Sequence, residues 1–223
     1  PGRGPDKQDC LFGRVQAAYG AAYVVHRLDM ATSGVMLFAR NTEMQRHLNR
    51  MFSRGEIQKS YVAVLSGKLN APAATASGWH RIDLPLTADW PNRPLQKVDH
   101  QSGKPSVTLW RLADAPSPVN RTVDTSSPGG ASTRVEVLPT TGRTHQIRVH
   151  LAHLGFPIVG DEKYGDFDFN RQLMKKHQKI KRMFLHAGTI AFIHPITNVA
   201  LKVTAPLSKE WDQFIDWFKR EGG

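Results

Sequence analysis

Strand-like segments outnumber helical ones in this chain, and their order limits the fold more than any other feature. Six short stretches have the β-branched and aromatic content or the alternation of strands, and only three have helical periodicity. A doubly wound parallel sheet would need regular alternation of strands and helices, which the sequence lacks. We therefore predict an α+β fold with a largely antiparallel mixed sheet and flanking helices and loops. The predicted strands cover residues 35–39, 59–65, 107–112, 133–138, 184–193 and 199–203.

The three predicted helices have recognisable caps. Asn41 is a typical N-cap, since its side chain can accept from free helix N–H groups, and Gly55 ends the same helix. A second helix ends at Gly155, and the third begins at Ser208 and carries an apolar stripe that we expect in the core. Irregular segments are predicted at residues 66–80, 89–94 and 115–131, where Pro, Gly and Ser accumulate.

Composition favours a globular protein with a polyanionic partner. Of 223 residues 40% are hydrophobic, and 30 Lys and Arg against 19 Asp and Glu give a net charge of +11. This excess favours nucleic acid, although a basic protein whose charge only keeps it soluble is the alternative. The single cysteine, Cys10, excludes an intramolecular disulfide, so we expect a reduced, cytoplasmic protein. No P-loop, G-x-G-x-x-G motif or apolar run of membrane-spanning length occurs, so we expect no nucleotide cofactor and no membrane.

Three blocks contain residues capable of chemistry. Residues 26–34 place the carboxylate of Asp29 next to a guanidinium, just before an apolar run, so that the scaffold positions the acid. Residues 59–63 contain Tyr61, and residues 141–150 are rich in Arg, His and Gln. Each block alone could be structural: an Asp–Arg pair holding a turn, a tyrosine on an amphipathic strand, or a polar helix start that satisfies backbone groups.

Together and in this order, the blocks resemble the RluA family of pseudouridine synthases, which isomerise uridine in structured RNA. The resemblance runs from about Pro1 to Pro206 and includes Gly160-Asp161, Tyr164-Gly165, Leu185-His186-Ala187 and His194-Pro195. It implies one catalytic domain over residues 1–223 with a central cleft. Two departures from the family are expected, because this sequence lacks the N-terminal strand with which members usually begin and the S4 domain that some relatives carry.

The resemblance also bears on the RNA target. Residues 89–94 with 103–105 are similar to the branch that modifies both 23S ribosomal RNA and transfer RNA, whereas residues 167–185 are similar to the branch acting on large-subunit rRNA alone. The implied partner is therefore structured RNA, 23S rRNA or tRNA stem-loops or both, bound by a monomer that needs no cofactor and no metal.

Individual roles follow from the resemblance. It implies that Asp29 is the essential carboxylate, which either attacks the sugar or removes a 2′ proton, and these two routes stay open. It makes Arg143 the basic partner that favours the charged carboxylate, and Tyr61 the residue that stacks on uracil and helps to remove the C5 proton. Arg27 would occupy space near the extruded base. The implied substrate-binding residues are Arg27, His26, Gln146 and Arg148.

Three other interpretations compete with this one. The histidines at positions 145, 150, 153, 186 and 194 could bind zinc, but neither a Cys pair nor H-E-x-x-H accompanies them, which favours capping or core hydrogen bonds. A non-catalytic RNA-binding module explains the charge but leaves Asp29, Tyr61 and Arg143 without a role. A glycosidase would need two carboxylates on either side of one bond, and only Asp29 lies in a suitable block.

Overall fold

The fold is built on a long, largely antiparallel sheet. The computed structural model of the chain describes residues 9–69, 75–113, 132–176 and 182–221. The helices are α1 (Leu11–Tyr19), α2 (Thr42–Arg54), α3 (Gln146–His153), α4 (Phe167–Lys176) and α5 (Lys209–Glu221). The strands are β1 (Tyr23–Val24), β2 (Ser33–Gly34), β3 (Phe38–Ala39), β4 (Gln58–Ser66), β5 (His80–Asp83), β6 (Leu86–Ala88), β7 (Gln96–Val98), β8 (Val107–Leu112), β9 (Ser132–Pro139), β10 (Leu185–Ile193) and β11 (Ala200–Thr204).

The main sheet has seven strands in the order β11-β10-β4-β9-β8-β5, with β2 pairing beside β10. Every neighbouring pair in this order is antiparallel, and only β2 runs parallel to β10. Two small two-stranded sheets, β1–β3 and β6–β7, stand apart. The predicted α+β fold with a largely antiparallel mixed sheet is confirmed.

Strand β4 lies at the centre of the sheet, and its alternating side chains separate two apolar cores. Ala63 and Leu65 pack with Ile147 and Leu151 of α3 on one side. Val64 packs with a different cluster that contains Phe184, Trp211 and Phe214. Because side chains alternate along a strand, Tyr61 continues the row of Ala63 and Leu65 beyond the first core. That row leads directly into the cleft described below.

The predicted caps of α2 and the end of α3 are confirmed. The Asn41 side chain accepts a hydrogen bond from the backbone N–H of Met44, and Gly55 ends α2 in the left-handed region at φ 71°. Helix α3 ends next to Gly155, whose φ is 83°. Helix α5 begins directly after Ser208, and Trp211 is buried as expected.

Several elements differ from the sequence-based prediction. Helices α1 and α4 and strands β5, β6 and β7 were not predicted, because short segments with mixed apolar and polar residues give little periodic signal. The apolar run 35–39 forms a strand only at its end, in β3. Residues 89–94 are irregular, as predicted, with a short 3-10 turn at Trp90–Asn92. The predicted insertion at residues 115–131 lies outside the described residues. Among the helices of the described ranges, none combines the length and apolarity needed to cross a bilayer.

Candidate active site

Asp29 lies in the loop between β1 and β2, and the sheet holds the far end of this loop. The backbone N–H of Thr32 donates to the Asp29 carbonyl at 2.9 Å, which closes a turn of the kind that often begins with Asp. Strand β2 then pairs with β10, and the Val35 N–H donates to the Ala187 carbonyl at 2.9 Å. A Cβ at Gly34 would lie 2.1 Å from that carbonyl oxygen, and the φ of Gly34 is 117°. Only glycine fits here without moving the Asp29 loop.

A buried polar cluster fixes the same end of the loop. Ser33 Oγ accepts from Arg182 Nη2 at 2.6 Å and lies 2.9 Å from His186 Nδ1. His186 Nε2 lies 3.0 Å from the Ala205 carbonyl oxygen, which can only accept, so this nitrogen carries the proton. Ser33 therefore donates its hydroxyl proton to Nδ1, so both ring nitrogens of His186 have partners inside the protein. His186 holds the loop in place and is not free to bind a ligand.

His26 holds the other side of the loop. Its Nε2 accepts from the backbone N–H of Leu37 at 2.9 Å, and its ring lies 4.8 Å from the Phe52 ring. Burial, together with the positive charge of Lys59, lowers the pKa of His26 to about 4. The ring is therefore neutral near pH 7, and this hydrogen bond requires the neutral form, because the accepting nitrogen must be unprotonated.

The Asp29 loop forms one wall of an open cleft of about 1260 Å³. The end of α2, strand β4 and residues 138–148 form the other walls. Among the described residues that line the cleft, Asp29 is the only acid. The cationic side chains of the lining are Arg27, Arg54, Lys59, Arg143, Arg148 and Lys202. The cleft therefore combines one carboxylate with a strongly positive surface, which suits a polyanionic ligand.

Arg148, from the first turns of α3, is the guanidinium beside Asp29. Its Nη1 donates to Asp29 Oδ2 at 3.1 Å. The rest of its fork binds Asp161, with Nε donating to Oδ2 at 2.7 Å and Nη2 donating to Oδ1 at 2.8 Å. The Arg148 side chain is 6% exposed, the Asp161 side chain 0% and the Asp29 side chain 22%. Arg148 is thus held by a buried carboxylate and presented to a partly exposed one.

Asp161 is supported well enough to stay ionised although it is buried. Its Oδ1 also accepts from the backbone N–H groups of Lys163 at 2.8 Å and Tyr164 at 3.1 Å. Burial opposes ionisation, but the hydrogen bonds and charge of Arg148 and the two N–H groups outweigh it, so the pKa of Asp161 lies below its usual value. An ionised Asp161 keeps the Arg148 guanidinium in a single orientation.

The expectation that Arg143 lies beside Asp29 needs correction. Among the described contacts, the guanidinium that pairs with Asp29 belongs to Arg148, while the exposed Arg143 donates through Nε to the Pro105 carbonyl at 3.3 Å. The physical reason is the start of α3 at Gln146. Arg143 lies in the turn before the helix and is exposed, whereas Arg148 lies within the helix and is buried. Both arginines line the cleft, so Arg143 remains available for contact with a bound ligand.

Tyr61 and Lys59 project into the cleft from β4. They are two positions apart on the strand, so their side chains share one face. Burial, with a smaller effect from the charge of Asp29, raises the pKa of Tyr61 to about 12. Burial also lowers the pKa of Lys59, whose ammonium group has no hydrogen bond or ion pair with any of the described residues. The phenol therefore keeps its proton near pH 7, and the Lys59 amino group is largely desolvated and open to a ligand in the cleft.

Gln146 supports the turn before α3 and has no free amide group. Its Oε1 accepts from Thr141 Oγ1 at 2.7 Å and from the Arg143 N–H at 3.0 Å. Its Nε2 donates to the Val107 carbonyl at 2.9 Å and to Thr108 Oγ1 at 3.0 Å.

Arg27, unlike Gln146, has an exposed side chain at the wall of the cleft.

His150 has partners inside the protein for both of its ring nitrogens. His150 is fully buried, with Nδ1 2.8 Å from Thr108 Oγ1 and Nε2 3.0 Å from the Leu84 carbonyl oxygen. Across the described part of the chain, no group of three or more His, Cys, Asp or Glu side chains could hold a metal ion. His145 differs, because its Nε2 faces Asp29 Oδ1 at 3.9 Å and its Nδ1 lies 2.7 Å from the Tyr164 hydroxyl.

Comparison with known proteins gives this site its family. Residues 6–153 match the family described as RNA pseudouridylate synthase. The chain belongs to the RNA pseudouridylate synthase family. Among its relatives is the "Dual-specificity RNA pseudouridine synthase RluA" of Vibrio vulnificus, 42% identical over 198 residues, covering 87% of this chain and 70% of the relative. The protein of the same name from Escherichia coli K12 is 37% identical over 206 residues, covering 92% of this chain and 83% of the relative.

Solved structures agree on the fold. The human protein "RNA Pseudouridylate Synthase Domain Containing 1" superposes with a TM-score of 0.65 at 23% identity, covering 92% of this chain and 83% of the human chain. The human protein "RNA Pseudouridylate Synthase Domain Containing 4" superposes with a TM-score of 0.64 at 21% identity, covering 94% of this chain and 81% of the human chain. The resemblance to the RluA family noted in the sequence is confirmed, and the chain is an RNA isomerase of this family.

In this pseudouridylate synthase, the sequence-based prediction of the site did not include three side chains that lie near Asp29, those of Asp161, Tyr164 and His145. Asp161 and Tyr164 lie in a motif that carried the family resemblance, but nothing in the sequence assigned them a partner. His145 had been considered only as a metal ligand or cap. Arg148 was predicted as a substrate-binding residue, but nothing in the sequence identified it as the partner of Asp29, because the start of α3 decides which arginine of its block faces the Asp29 loop.

Proposed function

We propose that this protein converts uridine to pseudouridine in structured RNA and that Asp29 is its essential carboxylate. One observation carries the proposal: Asp29 is the only acid among the described residues of a large cleft lined by six cationic side chains. The positive walls suit the phosphates of RNA, and about 1260 Å³ exceeds the roughly 300–1,000 Å³ typical of small-ligand pockets. A glycosidase would need a second carboxylate in the cleft.

The reaction breaks the C1′–N1 bond, turns the uracil and forms a C1′–C5 bond; N1 gains a proton and C5 loses one. No redox change occurs, and no group is transferred to or from another molecule. Asp29 acts at the ribose, either by attacking C1′ or by removing the 2′ proton, and both routes need an ionised carboxylate aimed at the sugar. Arg148 holds one oxygen of Asp29 through Nη1, and among the described residues no cationic side chain donates a hydrogen bond to the other oxygen.

Tyr61 contributes a ring and a protonated hydroxyl from the wall of the cleft that β4 forms. The ring can stack on the uracil after the base leaves its helix, which costs a few kcal/mol. Its hydroxyl, with a pKa of about 12, can pass a proton to or from a positioned water but is not itself a strong base at neutral pH. Arg27 at the exposed wall would occupy space near the extruded base, and Lys59 and Arg143 would contact backbone phosphates.

The RNA target is proposed from the relatives. Those named above are dual-specificity enzymes, which favours 23S rRNA and tRNA as the two substrate classes for this chain. Because such substrates are cytoplasmic, we expect the protein to act in the cytoplasm. We expect it to act there as a monomer with a single catalytic domain.

The test is Asp29→Asn, which removes the charge and keeps the size. Pseudouridines in 23S rRNA and tRNA are mapped by carbodiimide treatment and primer extension in cells that lack the gene and carry either version. We expect the wild type to restore specific sites and Asp29→Asn to restore none, while the purified variant binds RNA as tightly as the wild type. The control is Asp168→Asn, whose carboxylate is exposed and lies outside the cleft.

Two outcomes would contradict the proposal. Near wild-type modification by Asp29→Asn would remove Asp29 from the chemistry. Tight RNA binding by the wild type with no pseudouridine formed on any cellular RNA would favour the non-catalytic module instead.

A further inference from the structure

His145 and Tyr164 form a polar chain that ends at Asp29. The backbone N–H of Gln96, in β7, donates to the Tyr164 hydroxyl at 2.7 Å. The hydroxyl oxygen lies 2.7 Å from His145 Nδ1, and His145 Nε2 faces Asp29 Oδ1 at 3.9 Å. We propose that His145 is a positioning residue for Asp29, and that Tyr164 fixes the imidazole tautomer which this role requires. The proposal rests on the proposed function, because it concerns the carboxylate that performs the reaction.

The hydrogen-bond partners select one tautomer. The Tyr164 oxygen already accepts from the Gln96 N–H, so its own proton is free to be donated. Donation to His145 Nδ1 makes that nitrogen the acceptor and puts the ring proton on Nε2, where it points toward Asp29. In the opposite tautomer the Nε2 lone pair would face the carboxylate, and among the described residues the Tyr164 proton would have no partner at hydrogen-bond distance. Both effects favour the Nε2–H form.

The surroundings of His145 keep the ring neutral. Burial lowers the pKa of His145 and outweighs the attraction of Asp29 and Asp161, while Arg148 and Lys163 add to the lowering. Burial also raises the pKa of Tyr164, so the hydroxyl keeps the proton that it donates. A neutral N–H donor can orient the carboxylate without neutralising it, whereas a second cation would hold its charge more tightly.

Arg148 and His145 approach different oxygens of Asp29. Arg148 binds Oδ2 at 3.1 Å, and His145 Nε2 stands off Oδ1 at 3.9 Å, which is too long for a hydrogen bond. That gap leaves Oδ1 accessible from the cleft and lets the N–H engage it when the side chain turns slightly on substrate binding. The backbone supports the placement, because His145 is held at φ 55°, a left-handed conformation that is uncommon outside glycine and slightly unfavourable.

The tautomer can be measured without any activity assay. Protein labelled with ¹⁵N-histidine is examined by long-range ¹H–¹⁵N correlation, which identifies the protonated ring nitrogen; His145→Gln assigns the signal. We expect Nε2–H in the wild type and a mixture of tautomers in Tyr164→Phe, which lacks the donated proton. An Nδ1–H ring in the wild type, or an unchanged tautomer in Tyr164→Phe, would overturn the proposal.

Kinetics then test the role of the ring. His145→Leu removes the donor, while His145→Gln keeps an N–H donor at similar reach. We expect His145→Leu to lower kcat about ten-fold or more, the size expected for one hydrogen bond, with KM for RNA nearly unchanged, and His145→Gln to recover much of the loss. The matched control is His153→Gln at the exposed end of the same helix.

The outcomes separate this proposal from the proposed function. Wild-type kcat in His145→Leu, or equal losses in the Leu and Gln variants, would overturn the positioning role. A wild-type protein without pseudouridine activity would instead remove the proposed function and leave the tautomer result intact.

Discussion

Replacing Arg148 by methionine should destabilise the protein strongly as well as stop the reaction. Methionine roughly keeps the length of the side chain but removes the positive charge from between two carboxylates. Asp161 would then be left fully buried with only its two backbone N–H partners. Asp29, which is 22% exposed, can still be solvated from the cleft. The damage should therefore come mainly from Asp161.

The magnitude can be worked from the contacts. Arg148 gives Asp161 two short hydrogen bonds, at 2.7 and 2.8 Å, and bonds between charged groups contribute about 1.5–3 kcal/mol each. Breaking one side of a buried ion pair costs about 3–5 kcal/mol by independent measure. We therefore expect Arg148→Met to lower the free energy of unfolding by about 3–5 kcal/mol. The control Arg143→Met loses one long hydrogen bond at an exposed position and should cost about 0.5 kcal/mol or less.

The assay is urea unfolding followed by far-UV circular dichroism at neutral pH. A double-mutant cycle with Asp161→Asn isolates the pair, and we expect a coupling energy of roughly 2–3 kcal/mol. If Arg148→Met does not fold, Arg148→Lys keeps the charge but loses the fork and should fall between the wild type and Arg148→Met. A loss in Arg148→Met no larger than in Arg143→Met would refute the reasoning, and so would additivity with Asp161→Asn.

Acidity should weaken the wild type through the same pair. The pKa of Asp161 is lowered in the folded state, so its contribution is fully present above the unfolded value of about 3.9 and is lost as the pH falls through the lower folded value. In Arg148→Met the pKa of Asp161 must rise, because burial then dominates. The acid sensitivity of that variant should begin at a higher pH than in the wild type, which acid titrations of both proteins would show.

Three further predictions concern the cleft and its loop. Tyr61→Phe keeps the ring and should lower the rate of pseudouridine formation by about 10² or more while RNA affinity is retained; an unchanged single-turnover rate would exclude a role for the hydroxyl. Lys59→Met should reduce the slope of the logarithm of RNA affinity against the logarithm of salt concentration by about 0.7, which is the value for one phosphate contact on a single strand. The control Lys68→Met lies outside the cleft and should leave this slope unchanged. Gly34→Ala should lower the free energy of unfolding by more than about 2 kcal/mol, because the alanine Cβ would clash with the backbone of β10. The control Gly78→Ala has a φ of 71° but open space around the added Cβ, so it should lower the free energy of unfolding by only about 1 kcal/mol. Equal losses of the two variants in thermal unfolding would show that backbone strain, and not the clash, causes the effect.

The elements predicted correctly are those whose signal is local. The cap at Asn41 and the stop at Gly55 define α2 by short-range hydrogen bonds, and the β-branched runs of β4, β8 and β9 define buried strands. Helix α1 buries none of its side chains, and its sequence accordingly lacks the apolar stripe by which a helix packed on the core could be predicted. The pairing of β2 with β10 joins residues about 150 positions apart, and no local pattern reports it.

The position of Asp29 could be predicted from the sequence, but its partner could not. Arg143 and Arg148 lie five positions apart in one polar block, and the start of α3 between them decides which one faces inward. The start itself depends on tertiary contacts: the buried amide of Gln146 bridges the turn and β8, and His145 takes a left-handed conformation. Neither feature follows from residue type or spacing.

The unequal sharing of Arg148 explains how one guanidinium can serve both folding and chemistry. A symmetric fork on Asp29 would engage both of its oxygens and stabilise the ground state of the carboxylate that must react. Instead Asp161 takes the Nε and Nη2 edge and fixes the plane of the guanidinium, and only Nη1 donates to Asp29, at one of its two oxygens. Two carboxylates on one guanidinium leave a net negative charge in this cluster, which the surrounding cationic cleft stabilises over distance rather than by contact. Asp29 can thus be held in place at Oδ2 and still present a charged oxygen to the ribose.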